Sequence, residues 1–260
     1  MKLLTNDIIT ILYQINMTPK EKLTSLLDNK YVSEDGEEYQ VKLLEGLSGE
    51  EIESLKTQLP KEYLPEEIRE LLTQTRGFEF YGLDEITFDS VNHFGFEEFF
   101  PNSVQLAGDG FGNFWILDID DNGNWGCVFY VCHDPAVVVK HSENLTEFIS
   151  HIDEFGRQGI ASHFDEIHEK VVFDIWEDND GFMSLEEAKQ SADARLREFA
   201  EKLSENYVIA DLRKKLNKTG FAWGKFGPNI ENVKRHGSEL IWAIEKPEKK
   251  KWGLSKLFGK

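Results

Sequence analysis

Residues 106–135 read LAGDGFGNFWILDIDDNGNWGCVFYVCHDP, and the fold is decided here because strand, turn and loop signals agree over its whole length. Phe114, Trp115, Ile116, Leu117 and Ile119 form an apolar run of strand length. A second run, Trp125 to Cys132, follows a turn containing Asn122 and Gly123, so the spacing predicts a β-hairpin. Ahead of it, Leu106 to Asn113 is a loop in which Gly108, Gly110 and Gly112 alternate around Asp109, a pattern suited to positive φ or to close approach by another segment. A phosphate cradle is not expected, because dinucleotide and P-loop motifs open a helix and this loop opens a strand.

Upstream, Ser48 with Glu51 makes a capping box for a helix through Ile52, Leu55 and Leu59 that stops at Pro60. Pro65 starts the next helix, with Ile68, Leu71 and Leu72 on one face and Gly77 past its end. From Phe78 to Phe100 the apolar pieces are short and aromatic (Phe78 to Tyr81, Ile86 to Phe88, Phe94 to Phe100), which predicts strands and loops around an aromatic cluster. Downstream, Ala136 to Lys140 is a candidate strand. Asn144 is an N-cap with Glu147 at the capping-box position, and Leu145, Phe148, Ile149 and Ile152 follow at helical spacing.

Taken together, the leucine and proline helices, the loop GDGFGN at Gly108 to Asn113, FWILDI, VFYVCHDP and the closing amphipathic helix resemble the SUKH superfamily over about Leu47 to Ile152. That superfamily includes fungal cell-wall-synthesis regulators and bacterial immunity proteins. The resemblance implies an α+β fold, a mostly antiparallel sheet with flanking helices, and it brings no enzymatic activity. It implies a non-enzymatic protein-binding module, foremost an immunity protein that neutralises a toxin by occlusion, with a regulatory scaffold of cell-wall or envelope synthesis as the alternative. The expected organisation is a helical extension over 1–46, the SUKH-like module over 47–155, a helix-rich domain or docked elaboration over 156–246, and a basic tail over 247–260.

In the first segment, Leu4, Ile8, Ile11, Leu12 and Ile15 fit one helical face over residues 3–16, and Thr18 with Pro19 starts a second helix at Lys20 to Asn29. Asn6, Asp7 and Gln14 interrupt the apolar run, so no secretory signal is expected, and a soluble cytoplasmic protein is. SEDGEEY, Ser33 to Tyr39, is a charged turn around Gly36, and Tyr39 to Leu44 is a candidate short strand. Beyond Gly156 and Gly159, a candidate boundary, His163 to Phe173 reads as helical or mixed and Glu177 to Gly181 as a turn. Ser184 with Glu187 begins one long helix that carries Leu185, Ala188, Ala192, Leu196, Phe199, Leu203 and Tyr207. Trp223, Phe226, Ile230, Ile241 and Trp242 show no clear period. The tail places Lys249, Lys250, Lys251, Lys256 and Lys260 among Trp252, Leu254, Leu257 and Phe258, which suits weak contact with an anionic membrane, a grip on the acidic module, or disorder.

The net charge of −19 is concentrated: −13 over residues 31–100 and −6 over 101–152, against +1 over 1–30 and −1 over 153–260. Such a surface repels nucleic acid, favours a basic protein partner such as a toxin domain, and equally serves solubility. The candidate contact residues are Asp84, Glu85, Glu97 and Glu98 on acidic loops, with Asp109, Phe111 and Asn113 in the glycine loop. No cofactor or metal is expected. Asp178, Asp180 and Glu187 mimic a calcium loop, but Trp176 stands at the first ligand position. The turn at Asp118 to Asn124 mimics one too, with Phe129 at position twelve. Asp118 and Asp120 would be solvated rather than form an acid–base pair, and His133, His141, His151, His163 and His168 are scattered, with no zinc spacing. Cys127 and Cys132, five apart in one strand, should face opposite ways as free thiols.

Overall fold

The computed structural model describes residues 17–247 except 34, 92, 93 and 228; the helix expected over 3–16 and the tail from 248 lie outside the described residues. Thr18 and Glu21 form a capping box for α1 (Pro19–Thr24), shorter than the spacing predicts because the chain turns at Ser25. β1 (Tyr31–Val32) and β2 (Glu38–Tyr39) pair across the charged turn, and β3 (Lys42–Leu43) follows. Ser48 and Glu51 cap α2 (Gly49–Lys56), Pro65 precedes α3 (Glu66–Gln74), and β4 (Gly77–Phe80) and β5 (Asp84–Thr87) come next. The predicted hairpin is the centre of a meander: β6 (Ser103–Gly108), β7 (Phe114–Ile119), β8 (Trp125–His133) and β9 (Ala136–Ser142), closed by α4 (Leu145–Gln158). Then come α5 (His163–Glu166), one π-helical stretch (Ile167–Val171), α6 (Val172–Glu177) and β10 (Met183–Ser184). The last elements are α7 (Leu185–Lys189), α8 (Ala194–Glu201), β11 (Tyr207–Asp211), β12 (Gly220–Phe221), β13 (Val233–Arg235) and β14 (Ile241–Glu245).

All strand pairs are antiparallel, in sheets ordered β3-β4-β5, β12-β9-β8-β7-β6 and β10-β11-β14-β13, beside the β1-β2 ribbon; with the helices this is an α+β fold. The five-stranded sheet is buried on both faces. Leu106, Trp115, Leu117, Val128, Tyr130, Val137 and Val139 face one core with α3, α4 and the helices after it. Ile116, Phe129, Val131 and Val138 face a second core with Phe99, Phe100, Phe221, Trp223 and Trp242. Period-two alternation puts Cys132 in the first core and Cys127 against the second, both as free thiols, as their spacing predicts. Burial pushes each thiol up to about 11, so neither is a thiolate at neutral pH.

Three readings of the secondary structure are corrected. Leu106 to Gly108 belong to strand β6, and the loop shrinks to Asp109 to Asn113. The long helix from Ser184 breaks after Lys189 and restarts under an Asp193 cap, because Ser191 and Asp193 offer side-chain oxygens that compete for backbone amides; Tyr207 then lies in β11. Residues 207–245, whose part from Trp223 to Trp242 showed no period, build most of a four-stranded sheet.

Asp118 is the largest departure. Expected in solvent, it is 5% exposed on the second face, where Arg235 of β13 grips both carboxylate oxygens at 2.6 Å. The remaining guanidinium hydrogens go to the carbonyls of Phe99, Ser238 and Glu239, so all five donors are used, and the plane lies over Phe100 and Trp242. Burial pushes the Asp118 carboxyl up and Arg235 opposes that. Removing one partner strands a buried charge. Arg235→Met is expected to cost about 3–5 kcal/mol in urea denaturation, with much of it restored by adding Asp118→Leu; a single-variant loss below about 1 kcal/mol would refute this role for the pair.

Candidate functional site

The loop between β6 and β7 is held by one carboxylate. Asp109 Oδ1 accepts the amides of Phe111 (2.9 Å) and Asn113 (3.1 Å), and its Oδ2 accepts Asn113 Nδ2 (2.5 Å) and the Tyr130 hydroxyl (3.3 Å). Burial opposes ionisation of Asp109, but the bonds from the Asn113 side chain and the two amides outweigh it and hold the carboxyl below its usual range. Asn113 in turn accepts the His133 amide (2.9 Å) and its ring Nδ1 (2.8 Å), tying the loop to the end of β8. Gly110 (φ +76°) and Gly112 (φ +91°) supply the left-handed backbone that lets the chain fold around the carboxylate. At the tip, Phe111 is 80% exposed.

The turn between β7 and β8 is built the same way. Asp120 Oδ1 accepts the amides of Asn122 and Asn124, and its Oδ2 accepts Asn124 Nδ2 at 2.9 Å. Both turns thus read Asp-x-x-Gly-Asn, Asp109 to Asn113 and Asp120 to Asn124, with glycine φ values of +91° and +84° at the fourth position. That repeat was visible in the sequence as two copies of one spacing. It explains why DIDDNGN resembles an ion loop: Asp120 binds its own backbone amides.

Of the other expected contact residues, Glu85 and Glu98 are exposed, while Glu97 turns back to accept the Gly95 amide at 3.1 Å. Asp84 lies at the start of β5, opposite Phe80 of β4. The chain beyond β5 runs antiparallel to β6, with Val91 opposite Val104. Asp180 of the calcium-loop mimic accepts the Phe182 amide, Glu187 accepts the Ser184 amide and hydroxyl, and Asp178 ends α6.

The sequence does not reveal an apolar groove of about 570 Å³ lined by Val32, Tyr39, Tyr81, Phe155 and Ile160, with Arg157 and Asp165 at its edge. It is assembled from the β1-β2 ribbon, the β4-β5 turn and the end of α4, far apart in the chain, so no local signal could mark it. Val32, Tyr81 and Ile160 are 61%, 44% and 83% exposed. An adjoining depression shares Tyr39 and Tyr81 and carries Glu79 and Glu85. Rings connect the groove to the glycine loop: Phe155 to Phe164 (5.7 Å), Phe164 to Trp115 (5.3 Å) and Trp115 to Tyr130 (4.9 Å), whose hydroxyl reaches Asp109.

The histidines are not all scattered. His141, His151 and His163 converge, each offering a ring nitrogen within 4.8 Å of the others, whereas His133 and His168 lie by the glycine loop, His168 Nε2 4.0 Å from Asp109. Among the described residues no helix is long and apolar enough to cross a membrane.

The carboxylate staple gives a measurable expectation. Asp109→Ala should raise hydrogen exchange at the Phe111 and Asn113 amides roughly tenfold or more while β7 and β8 stay protected. Unchanged exchange at those two amides would show that the loop is held by something else.

Comparison with curated proteins and with solved structures gave no match. With the meander, its two flanking helices and the closing α4 in place, residues 46–151 match the model of the SMI1 / KNR4 family (SUKH-1), which places this part of the chain in the SUKH superfamily.

Proposed function

We propose that this protein neutralises a basic toxin domain by binding it and occluding its working surface, without making or breaking a covalent bond. The match of residues 46–151 to the SUKH superfamily supports immunity or cell-wall regulator roles broadly, and members of that superfamily are generally non-enzymatic binding proteins. The observation that carries the reading is the groove: large apolar side chains stand in solvent around an aromatic floor, with Glu79 and Glu85 beside it. Contiguous exposed apolar surface rimmed by charge is the form that protein contact sites take.

The chemistry divides between two terms. The acid excess of residues 31–152 attracts a cationic partner and speeds its capture, with strong dependence on ionic strength. Tyr81, Ile160 and Phe111 are the anchors, since buried aromatic and aliphatic side chains hold most of the energy at such interfaces. Asp109 fixes the Phe111 backbone before the partner arrives, which lowers the entropy cost of binding. The toxin reading is preferred to wall regulation because the acidic surface complements the cationic face of a domain that acts on nucleic acid.

The test is capture of the partner from native cells, followed by calorimetry of the purified pair. Affinity is expected to fall steeply as salt rises, and Ile160→Glu or Tyr81→Ala to weaken it about 30-fold or more. Recovery of wall-synthesis enzymes alone would end the toxin reading. An affinity indifferent to salt would remove its electrostatic part.

A further inference from the structure

We propose that His141, His151 and His163 form a binding site for a divalent metal ion of the zinc class, each contributing one ring nitrogen. The inference is independent of the partner reading. His141 comes from β9, His151 from α4, and His163 from the first residue of α5, so the three meet at the seam between the family segment and the elements that follow it. Their ring centroids lie 4.8 Å (141 to 163), 5.4 Å (141 to 151) and 3.8 Å (151 to 163) apart.

The hydrogen bonds select the nitrogens that remain. Ser142 Oγ lies 2.8 Å from His141 Nδ1 and 3.0 Å from His151 Nδ1. His163 Nε2 lies 2.8 Å from the carbonyl oxygen of His141. A carbonyl only accepts, so His163 carries its proton on Nε2 and presents a lone pair on Nδ1. If both Nδ1–H groups donate to the serine oxygen, which has two lone pairs, His141 and His151 present Nε2. Each ring then has one nitrogen fixed by an oxygen partner and the other free, the arrangement found around metal-bound histidines.

One further observation points to a ligand, and a second unpaired buried atom lies on the loop packed beside it. His141 Nε2 is buried, belongs to a ring with no solvent exposure, and has no hydrogen-bond partner. Asn217, next to Lys218 in the loop that packs on β9, leaves its buried Oδ1 without a partner while its Nδ2 donates to Glu147, one turn before His151 on α4. Leaving a buried polar atom unpaired costs about 1–3 kcal/mol, and a metal ion at the three nitrogens would relieve the first of these. Burial, helped at His141 and His151 by the neighbouring histidines, keeps all three rings neutral at pH 7, with His151 lowered to about 3, so lone pairs are available without loss of a proton. The charges facing the cluster are Lys218, which pairs with Glu166, and the acids Glu147 and Glu154. Lys218 acts on all three rings, while Glu147 and Glu154 act on His163.

Neutral imidazoles select zinc, copper, nickel or cobalt over magnesium and calcium, which require oxygen. A tetrahedral zinc site spaces its nitrogens by about 3.4 Å, so the three must draw together. The His151 and His163 rings are stacked within 15° of parallel, so one of them must turn out of the stack for both nitrogens to meet a single ion. His151 is the one ring of the three that is partly exposed, so closing the site requires it to turn about its bond to Ser142.

The test uses the full-length, untagged protein, stripped with chelator and titrated with Zn²⁺ by calorimetry and with Co²⁺ by visible absorption. One equivalent of saturable binding is expected, with tetrahedral Co²⁺ bands and a raised melting temperature. His151→Gln should abolish that event, Ser142→Ala should weaken it about 10–100-fold, and His168→Gln should leave it unchanged. His151→Gln changes a partly exposed ring, so folding is expected to survive, and circular dichroism checks it. Absence of one-equivalent binding by either ion overturns the proposal, as does binding that survives His151→Gln or disappears with His168→Gln.

Discussion

The five-stranded sheet is apolar on both faces, and the rest of the structure follows from the need to cover them. Burying one side of a sheet is what helices α3 and α4 accomplish; antiparallel sheets commonly stop there and leave the other side to water. Here Phe129, Val131 and Val138 on β8 and β9 point away from those helices, and solvent there would forfeit about 1.5–3 kcal/mol for each large side chain. Phe221, Trp223 and Trp242 supply the cover, and Phe182 and Phe226 pack around them. Gly220 permits the closest approach: a Cβ there would fall 2.0 Å from the Val138 carbonyl, so only glycine lets β12 extend the sheet beside β9. The residues beyond 151 therefore complete a core that begins inside the family segment.

Apolar cover alone does not fix how one sheet sits on another, since shifted arrangements bury similar area. The Asp118 and Arg235 pair discriminates among them. It sits between Phe100 and Trp242 in the second core, and any slide of β13 relative to β7 would leave a carboxylate and a guanidinium without partners in an apolar layer. Such a pair adds little net stability over a well-packed apolar one; its effect is to make misplacement expensive.

This division explains what was legible in the sequence. The hairpin, the capping boxes at Ser48 and Ser184 and the Asn144 cap are local devices, in which a side chain bonds to a backbone within a few residues, and the sequence displays them directly. The α+β class follows from them. What escaped depends on distant partners. Asp118 reads as a turn acid until Arg235, 117 residues later, arrives against it. The histidine cluster joins a strand, a helix and a helix start whose spacings, ten and twelve residues, match no ligand motif. Residues 207–245 hid because strands buried on both sides lose the alternation by which strands are recognised. The Asp-x-x-Gly-Asn repeat, by contrast, was local and readable, and its glycines drew attention from the aspartate that organises them.

A core filled on both sides also changes the meaning of what stays outside. In a loosely covered fold, an exposed tyrosine or isoleucine is surplus from an incomplete interior. Here the interior is complete: both faces of the central sheet are buried, and the third apolar cluster, under α7 and α8, is enclosed as well. Val32, Tyr81, Ile160 and Phe111 are among the large apolar side chains left exposed, with Tyr63, Phe173 and Leu216 elsewhere on the surface. Three of the four share one groove, and the fourth rides on a loop that a buried-ring path ties to that groove's floor. Exposed apolar groups carry a solubility cost that charged neighbours offset, and Arg157, Asp165, Glu85 and the Lys42–Glu79 pair stand around this groove. Under the proposed function such a surface divides the task, with charge speeding the encounter and preformed apolar seats slowing release.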